Sequence, residues 1–323
     1  MPSFPPLDKI DIPLGTSEGE VLEVDLQDDD LKNNFSAILE ILVQEEAPLR
    51  LFLDFAFEFH KRGLNLEFEK FLHAGERVAD SNPRNAHQDF HKNLLYTSLA
   101  SYYIEVGKTL LVDSLFKYPD VPEVPDKDFD RPYVPRSQKA LFDAATQLIN
   151  KATQNDPLTL VTKGNFYLAK GDVTEAMKLF KSASRLDANC VPALVGEAAL
   201  LFKSGDYKTA LSHYQRVLLI EPDLPDDVRV PIGLCFHRLG MIAEAKRAFE
   251  RALERNGQNV DALILLSNIE TNEAHGLQVQ GETSALILQA NKRVVTAFNV
   301  NKKHPSALLL TGNFLFSKKR YDQ

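Results

Sequence analysis

Two short stretches carry residue types that could bind phosphate or a metal ion. Residues 106–109 (VGKT) resemble the end of a phosphate-binding loop, but the full G-x-x-x-x-G-K-[ST] pattern needs a glycine where the chain has Tyr102. His87 and His91 are four residues apart and could share one helix face. Gln88 stands where H-E-x-x-H requires glutamate, and a metal would need further ligands. A surface histidine pair is therefore favoured, and no metal site is predicted.

Other catalytic patterns are also missing from the sequence. It has no C-x-x-C and no G-x-G-x-x-G, and no nucleophile stands beside a placed base. The two cysteines, Cys190 and Cys235, occupy positions suited to small apolar side chains, which indicates a reducing intracellular compartment. The sequon at residues 34–36 is interpreted as a chance match. We expect neither enzymatic activity nor a cofactor.

The composition of the chain indicates which kinds of partner it can bind. The net charge is −8, whereas direct nucleic-acid binding needs clustered lysine and arginine. No signal peptide and no apolar run long enough to span a bilayer is found in the sequence. These features favour an intracellular protein that binds other proteins, with no membrane and no direct nucleic-acid contact.

Residues 157–259 contain the elements that would have to position any binding side chains. They form three successive lines of 34 residues, separated once by Pro225. Equivalent positions carry equivalent residues: Gly164, Ala198 and Gly233; Gly171, Gly205 and Gly240; Ala176, Ala210 and Ala245; Phe180, Tyr214 and Phe249. Such a fixed period indicates stacked helix-turn-helix units.

The recurring residue types have physical reasons. A small residue in the first helix lets the second helix approach closely. A ring four residues after the recurring alanine of the second helix fills the space between units. The glycine that follows ends the first helix in a left-handed conformation, and Asp172 with Glu175 begins the next helix as a variant capping box. The pattern resembles the tetratricopeptide repeat (TPR) family. That resemblance implies an all-α, right-handed solenoid of TPR helix-turn-helix repeats with an extended, acidic N-terminal arm.

Four segments follow from this interpretation. Residues 1–48 form the arm, with short extended segments and one helix over Leu31–Glu46. Residues 49–156 hold divergent TPRs with a proline-rich insertion at 108–136, and 157–259 hold three regular TPRs. Residues 260–323 hold one TPR with an insertion at 273–283 and a truncated further repeat, so we expect the sequence to be a fragment of a longer protein.

The TPR resemblance also implies a concave groove lined by fixed positions of each first helix. Chaperone-binding TPRs clamp a terminal carboxylate there with lysine, asparagine and arginine, but Val161 and Val195 occupy clamp positions here. The groove is therefore expected to be apolar and to favour a hydrophobic segment or amphipathic helix. For any single position, packing of helix on helix is an equally good interpretation. The expected partner-binding residues are Leu53, Phe57, His60, Ile104, Val161, Asn165, Leu168, Val195, Ala199, Phe202, Val230, Leu234 and His237.

Several stretches occur together in one order and narrow the family. They include LLYTSLASYYIEVG, PALVGEAALLFKSGDYKTALSHYQRVL and IGLCFHRLGMIAEAKRAFERALE. Together they resemble the N-terminal part of the TPR scaffold subunits of the RNA polymerase II-associated factor (Paf) complex. The resemblance implies a nuclear, non-enzymatic scaffold that promotes histone H2B ubiquitination and histone H3 methylation. It also implies binding to the Paf subunit, with a parafibromin-like subunit nearby, and indirect association with the other subunits and RNA polymerase II.

Two rival hypotheses remain at this point. A TPR co-chaperone or other adaptor would bind a peptide in the concave groove, although the missing carboxylate clamp disfavours it. An enzyme with appended TPRs would need a catalytic part outside this sequence. Binding of a terminal peptide would distinguish the first rival from the scaffold.

Overall fold

Helices account for most of the described chain. The computed structural model describes residues 9–13, 21–25, 31–81, 89–115, 137–224, 228–276 and 280–317. Two strands, β1 (Lys9–Pro13) and β2 (Val21–Asp25), precede the helices. The helices are α1 (Leu31–Gln44), α2 (Leu49–Lys61), α3 (Asn65–Ser81), α4 (Asp89–Leu115), α5 (Gln138–Lys151), α6 (Pro157–Ala169), α7 (Val173–Leu186), α8 (Val191–Ser204), α9 (Tyr207–Ile220), α10 (Arg229–Arg238), α11 (Ile242–Arg255), α12 (Val260–Gly276), α13 (Gln280–Val300) and α14 (Pro305–Ser317). The predicted all-α class is confirmed.

Residue contacts divide the chain into two compact units, Met1–Ala193 and Leu194–Gln323, and the division falls inside α8. In the first unit α2 packs with α3, α4 with α5, and α6 with α7. In the second unit α10 packs with α11 and α12 with α13. Short connections join α2 to α3, α6 to α7 and α10 to α11, whereas residues outside the described ranges separate α4 from α5 and α12 from α13. The predicted helix-turn-helix plan is therefore present in both units.

The described N-terminal residues of the first unit include a small antiparallel sheet of β1 and β2. In it, Ile12 of β1 lies opposite Leu22 of β2. Ile10 and Ile12 are buried in the same core as Leu42 of α1, because alternate side chains of β1 face that core. The predicted extended segments are confirmed, but an extended, acidic arm is not. Residues 18–30 carry seven acidic residues and no lysine or arginine, and only 21–25 of this stretch lie within the described residues.

Small residues let the paired helices approach closely, as the repeat pattern predicts. A Cβ added at Gly164 would lie 2.6 Å from Cε1 of Phe180, and one at Gly233 would lie 2.5 Å from Cε1 of Phe249. Each ring therefore rests directly on the backbone of the preceding helix. Both rings are almost fully buried, so this contact is part of the core of each repeat.

The turn inside each regular repeat also follows the prediction. Gly171, Gly205 and Gly240 have φ of +86°, +91° and +80°, a region that favours glycine. Asp172 caps α7 by accepting a hydrogen bond from the Glu175 N–H at 3.0 Å. Because this N–H binds the ionised carboxylate, the pKa of Asp172 is lowered.

Helices continue into both of the expected insertions. Helix α4 runs on to Leu115, so the first part of the 108–136 insertion is helical, while 116–136 lies outside the described residues. Gly107 does not end a helix. A Cβ there would lie 2.6 Å from Cε1 of Phe142 in α5, so Gly107 is the small residue of a close approach. Similarly, most of the 273–283 insertion belongs to the ends of α12 and α13, with 277–279 outside the described residues.

The first helix of the third regular repeat starts late. Helix α10 begins at Arg229, the fourth position of its repeat, whereas α6 and α8 begin at the first position of theirs. Pro231 then falls within the first turn, where backbone N–H groups have no partner inside the helix. The proline therefore fits without breaking a helical hydrogen bond.

A polar cluster joins three helices of the first unit. Lys151, the last residue of α5, donates to Glu76 at 2.7 Å and to Asp80 at 2.8 Å, both on α3. On the other side of Glu76, the His73 ring lies 3.0 Å from its carboxylate. The hydrogen bond with His73 and then the one with Lys151 lower the pKa of Glu76 to about 2. The Tyr103 hydroxyl of α4 contacts the same histidine.

Candidate partner-binding surface

The predicted groove residues of the divergent repeats lie mostly in the core. Leu53, Phe57 and Ile104 are only 1%, 5% and 1% exposed, and all three belong to the large apolar core of the first unit. They cannot contact a partner without rearrangement of that core. These helices carry apolar residues on more than one face, and the burial of the three side chains disfavours a direct contact with a partner.

His60 is half-buried and already has partners. Its Nδ1 lies 3.1 Å from Oδ1 of Asn65, and its ring centroid lies 4.8 Å from that of Phe68. These contacts hold the ring across the junction between α2 and α3. His60 therefore acts mainly as a packing residue in this structure.

In the first regular repeat, fewer of the predicted groove residues are accessible than expected. Val161 is buried, whereas Asn165 and Leu168 are half-buried. All three lie on α6, at positions five, nine and twelve of the repeat. Of the predicted residues of the first unit, Asn165 and Leu168 are the two that keep accessible surface without a described polar partner.

The second unit keeps more of the predicted surface accessible. Ala199 on α8 and His237 on α10 are exposed, and Val195, Phe202, Val230 and Leu234 are half-buried. Val230 and Leu234 pack against a core built on Ala245, Phe249, Leu266 and Ile269. Their inner edges stabilise the repeat and their outer edges remain accessible, so the packing role is observed and partner contact stays a prediction.

A groove of about 310 Å³ lies on this surface between α10 and α12. Its floor is apolar, and its walls carry amide and hydroxyl groups. The lining side chains are His237, Phe249, Leu265, Asn268, Thr271 and Asn272. The predicted apolar groove is therefore partly polar here. We call this feature the Asn268 groove.

Sequence reasoning found His237 but missed the residues of α12. Asn268, Thr271 and Asn272 are positions nine, twelve and thirteen of the repeat that starts at Val260. The spacing rule that selected Val230 and His237 in the preceding repeat selects these residues as well. The same rule, applied one repeat further, would have found them.

A buried ion pair fixes α12 behind the groove. Glu270 is 1% exposed, and Arg293 of α13 donates its Nε–H at 3.1 Å to each carboxylate oxygen. Burial raises the pKa of Glu270, and the arginine opposes that rise. At the groove edge, Lys246 pairs with Glu273 at 2.9 Å. Arg293 and Lys246 are thus both paired with carboxylates of α12.

The chemistry available at the groove is hydrogen bonding and apolar contact. In the described part of the chain, no group of three or more histidine, cysteine or acidic residues could hold a metal ion. His87 of the predicted histidine pair lies outside the described residues. The two cysteines are buried thiols, and burial raises the pKa of Cys235 to about 11. Among the described helices, none is long and apolar enough to cross a membrane.

Comparison with known proteins confirms the repeats and the predicted resemblance. Two tetratricopeptide repeat family models match residues 167–230 and 230–259. The chain is 31% identical over 310 residues to the Protein CTR9 homolog of Arabidopsis thaliana, which covers 94% of this chain and 25% of that protein. It is 27% identical to the RNA polymerase-associated protein CTR9 of Caenorhabditis elegans, covering 97% of this chain and 25% of that protein. The Saccharomyces cerevisiae protein of the same name is also 27% identical, with 97% and 28% covered.

The chain spans about a quarter of the length of these curated relatives. Among solved structures, a tetratricopeptide repeat protein from Parabacteroides merdae superposes with a TM-score of 0.46 at 11% identity, over 84% of this chain and 88% of that one. The family models show tetratricopeptide repeats in residues 167–259, and the sequence comparisons show resemblance to the CTR9 proteins over nearly all of this chain's length.

Proposed function

We propose that this chain is the TPR part of a non-enzymatic nuclear scaffold that holds subunits of the Paf complex on elongating RNA polymerase II. The observation that carries the proposal is the similarity to CTR9 proteins of a plant, a nematode and a yeast across more than nine-tenths of the chain. A match confined to the regular repeats would have supported only a generic TPR protein. Here the similarity extends through the divergent N-terminal helices as well.

The proposed scaffold binds the Paf subunit and a parafibromin-like subunit, and reaches the polymerase through them. Co-transcriptional histone modification follows from that assembly. The accessible residues of the second unit support a binding role, because Ala199 and His237 are exposed on the first helices of their repeats. In the first unit, Asn165 and Leu168 remain the candidate contacts.

The test is affinity purification of the chain from nuclear extract, followed by mass spectrometry. The bait is compared with an Ala199→Glu, His237→Glu double variant. Both positions are exposed, so the substitutions leave the repeat cores intact. Burying an unpaired carboxylate against a partner costs several kcal/mol, which lowers affinity more than about tenfold. Leu219→Glu is the matched control, since Leu219 is 85% exposed on α9, the second helix of its repeat.

We expect Paf-complex subunits on the bait and on the Leu219→Glu control, and their depletion on the double variant. Recovery on all three would leave the scaffold role intact and remove the groove from it. Recovery of chaperones without any Paf-complex subunit would refute the proposed function and favour the adaptor hypothesis.

A further inference from the structure

The small sheet of the first unit has an outer edge along β2. In the described part of the chain, β1 and β2 pair with each other and with no third strand. Apart from the pairing inside the sheet, none of the backbone hydrogen bonds among the described residues involves residues 21–24. An edge of this kind is a template for a further strand. Two strands alone are also only marginally stable, so a third strand would stabilise the sheet.

Pro13 indicates which main-chain groups point to the open edge. Proline has no N–H to donate, so within a sheet its nitrogen faces an edge and not a neighbouring strand. Pro13 lies opposite Val21, and opposite residues of an antiparallel pair both face each other or both face away. The N–H and C=O groups of Val21 and of Glu23, two residues further on, therefore point away from β1. We call this outer side of β2 the β2 edge.

The apolar side chains of the sheet are covered less well on the side of β2. Ile10 and Ile12 of β1 are 4% and 0% exposed. Leu22 and Val24 of β2 pack against the same core but remain half-buried. A strand added at the β2 edge would cover them if its inward side chains were apolar. Because side chains alternate along a strand, every second residue of the added strand would then be apolar.

The solvent face of the sheet is acidic. Asp11 lies opposite Glu23, and Lys9 lies opposite Asp25. The hydrogen bond with Glu23 raises the pKa of Lys9, and the charges of Asp25 and Asp11 add to that rise. Across neighbouring strands, opposite charges stabilise and like charges destabilise a sheet. The outward side chains of an added strand would therefore be lysine or arginine.

The same charges disfavour a second copy of this chain as the added strand. Pairing β2 with β2 of another copy would bring Glu23 and Asp25 close to identical carboxylates. A helix would also fit poorly, because its backbone groups are already paired within the helix and cannot bind the β2 edge.

We propose that the β2 edge binds an extended segment of another protein as a third strand, in which apolar residues facing the core alternate with lysine or arginine facing solvent. This mode of binding goes beyond the proposed scaffold function and does not depend on it, because the segment is defined by its alternation and charge. It is also separate from the Asn268 groove, since the sheet belongs to the first unit and the groove to the second.

The experiment is a nuclear magnetic resonance titration of the full chain labelled with ¹⁵N-valine. The probe is a peptide with blocked ends and alternating valine and lysine, about seven residues long, so that it spans the five residues of β2. A control peptide has the same composition with its valines grouped together, and a second control carries glutamate in place of lysine. The signals of Val21 and Val24 are identified by their loss in Val21→Ile and Val24→Ile.

We expect the alternating lysine peptide to shift the Val21 signal and both control peptides to bind at least about fivefold more weakly. N-methylation of a peptide residue whose N–H faces β2 should lower affinity about fivefold, whereas N-methylation of the adjacent residue should leave it unchanged. Glu23→Lys should weaken binding of the lysine peptide and strengthen binding of the glutamate peptide. Glu40→Lys, the same charge change at an exposed position of α1, should alter neither affinity.

Val21→Pro tests the main-chain contact from the side of the chain. Since the N–H of Val21 points away from β1, proline there removes no hydrogen bond between the two strands. The Val24 signal should therefore keep its position without peptide, and the affinity for the lysine peptide should fall about fivefold.

Three results would overturn the proposal. Equal affinity of the alternating and grouped peptides, with no effect of N-methylation at either position, would show attraction between charges alone. An unchanged Val21 signal with every peptide would show that the edge binds no strand. A Val21 signal that moves with the concentration of the chain alone would show pairing between two copies. None of these results depends on recovery of Paf-complex subunits, so the proposed function is tested separately.

Discussion

Replacing Gly233 by alanine tests whether the ring of Phe249 truly rests on the backbone of α10. The added Cβ would lie 2.5 Å from Cε1 of the ring, so the ring must move by about 1 Å to restore ordinary contact. Overpacking of this kind costs about 1–3 kcal/mol. Removal of a helical glycine returns about 1 kcal/mol. The net expectation is a loss of about 0–2 kcal/mol of local stability.

Gly312 provides the matched control within the same unit. It holds the equivalent position in α14, but among the described residues no atom of another helix lies within 4 Å of the Cβ that alanine would add. Gly312→Ala should therefore stabilise its helix by about 1 kcal/mol. One substitution thus has opposite expected effects at two equivalent positions, and the two differ by about 1–3 kcal/mol.

Hydrogen–deuterium exchange read out by mass spectrometry reports this difference locally, because each helix gives its own peptides. Exchange of α10 and α11 should be unchanged or faster in Gly233→Ala, while exchange of α14 should be slower by about fivefold in Gly312→Ala. Adding Phe249→Leu to Gly233→Ala should recover part of the loss. Equal stabilisation by both glycine replacements would refute the ring-on-backbone contact.

Three further outcomes concern ionisable groups. Because the pKa of Glu76 is lowered to about 2 from 4.5, its contribution is complete above about pH 4.5 and is lost as the pH falls toward 2; melting temperatures from pH 6 to pH 2 should therefore fall less steeply in Glu76→Gln. Lys151→Met should weaken the same pH dependence, and an unchanged slope would contradict the described cluster. Arg293→Met leaves the buried Glu270 without its cationic partner and should lower the free energy of unfolding in urea titrations by about 3–5 kcal/mol. Glu270→Leu combined with Arg293→Met should leave that free energy nearly unchanged. Cys235, with a pKa of about 11, should react with a thiol reagent only after unfolding, and rapid labelling of the native chain would show that its burial is wrong.

The regular repeats were predictable because several independent signals agree there. The period of 34 residues, the small residue at Gly233, the ring at Phe249 and the turn glycine at Gly240 all indicate the same helix pair. The structure places each of them in the predicted role. Because these local signals agree, such a repeat can be predicted from a single sequence.

The divergent regions were harder because one residue type serves two purposes. Gly107 can end a helix or admit a neighbouring ring, and the sequence does not distinguish these uses. By their spacing, Leu53 and Phe57 lie at groove positions. Both side chains are nevertheless buried, because aromatic residues of the same unit surround α2. Asn268 stands at the ninth position of the repeat that starts at Val260, so the spacing rule reaches it only when that repeat is included.

The buried polar contacts also bear on how similar repeats avoid docking to the wrong neighbour. In the first unit, the buried amide of Asn93 on α4 accepts from the Thr153 N–H at 2.8 Å and from the Thr159 hydroxyl at 3.1 Å. In the second, Glu270 depends on Arg293. Interchangeable small-residue and ring contacts would tolerate a slip by one whole repeat, but a slip would leave these polar groups buried without partners. These position-specific polar pairs therefore disfavour misaligned packing of the helices. The native order of helices is selected partly by the free-energy penalty that every misaligned order incurs.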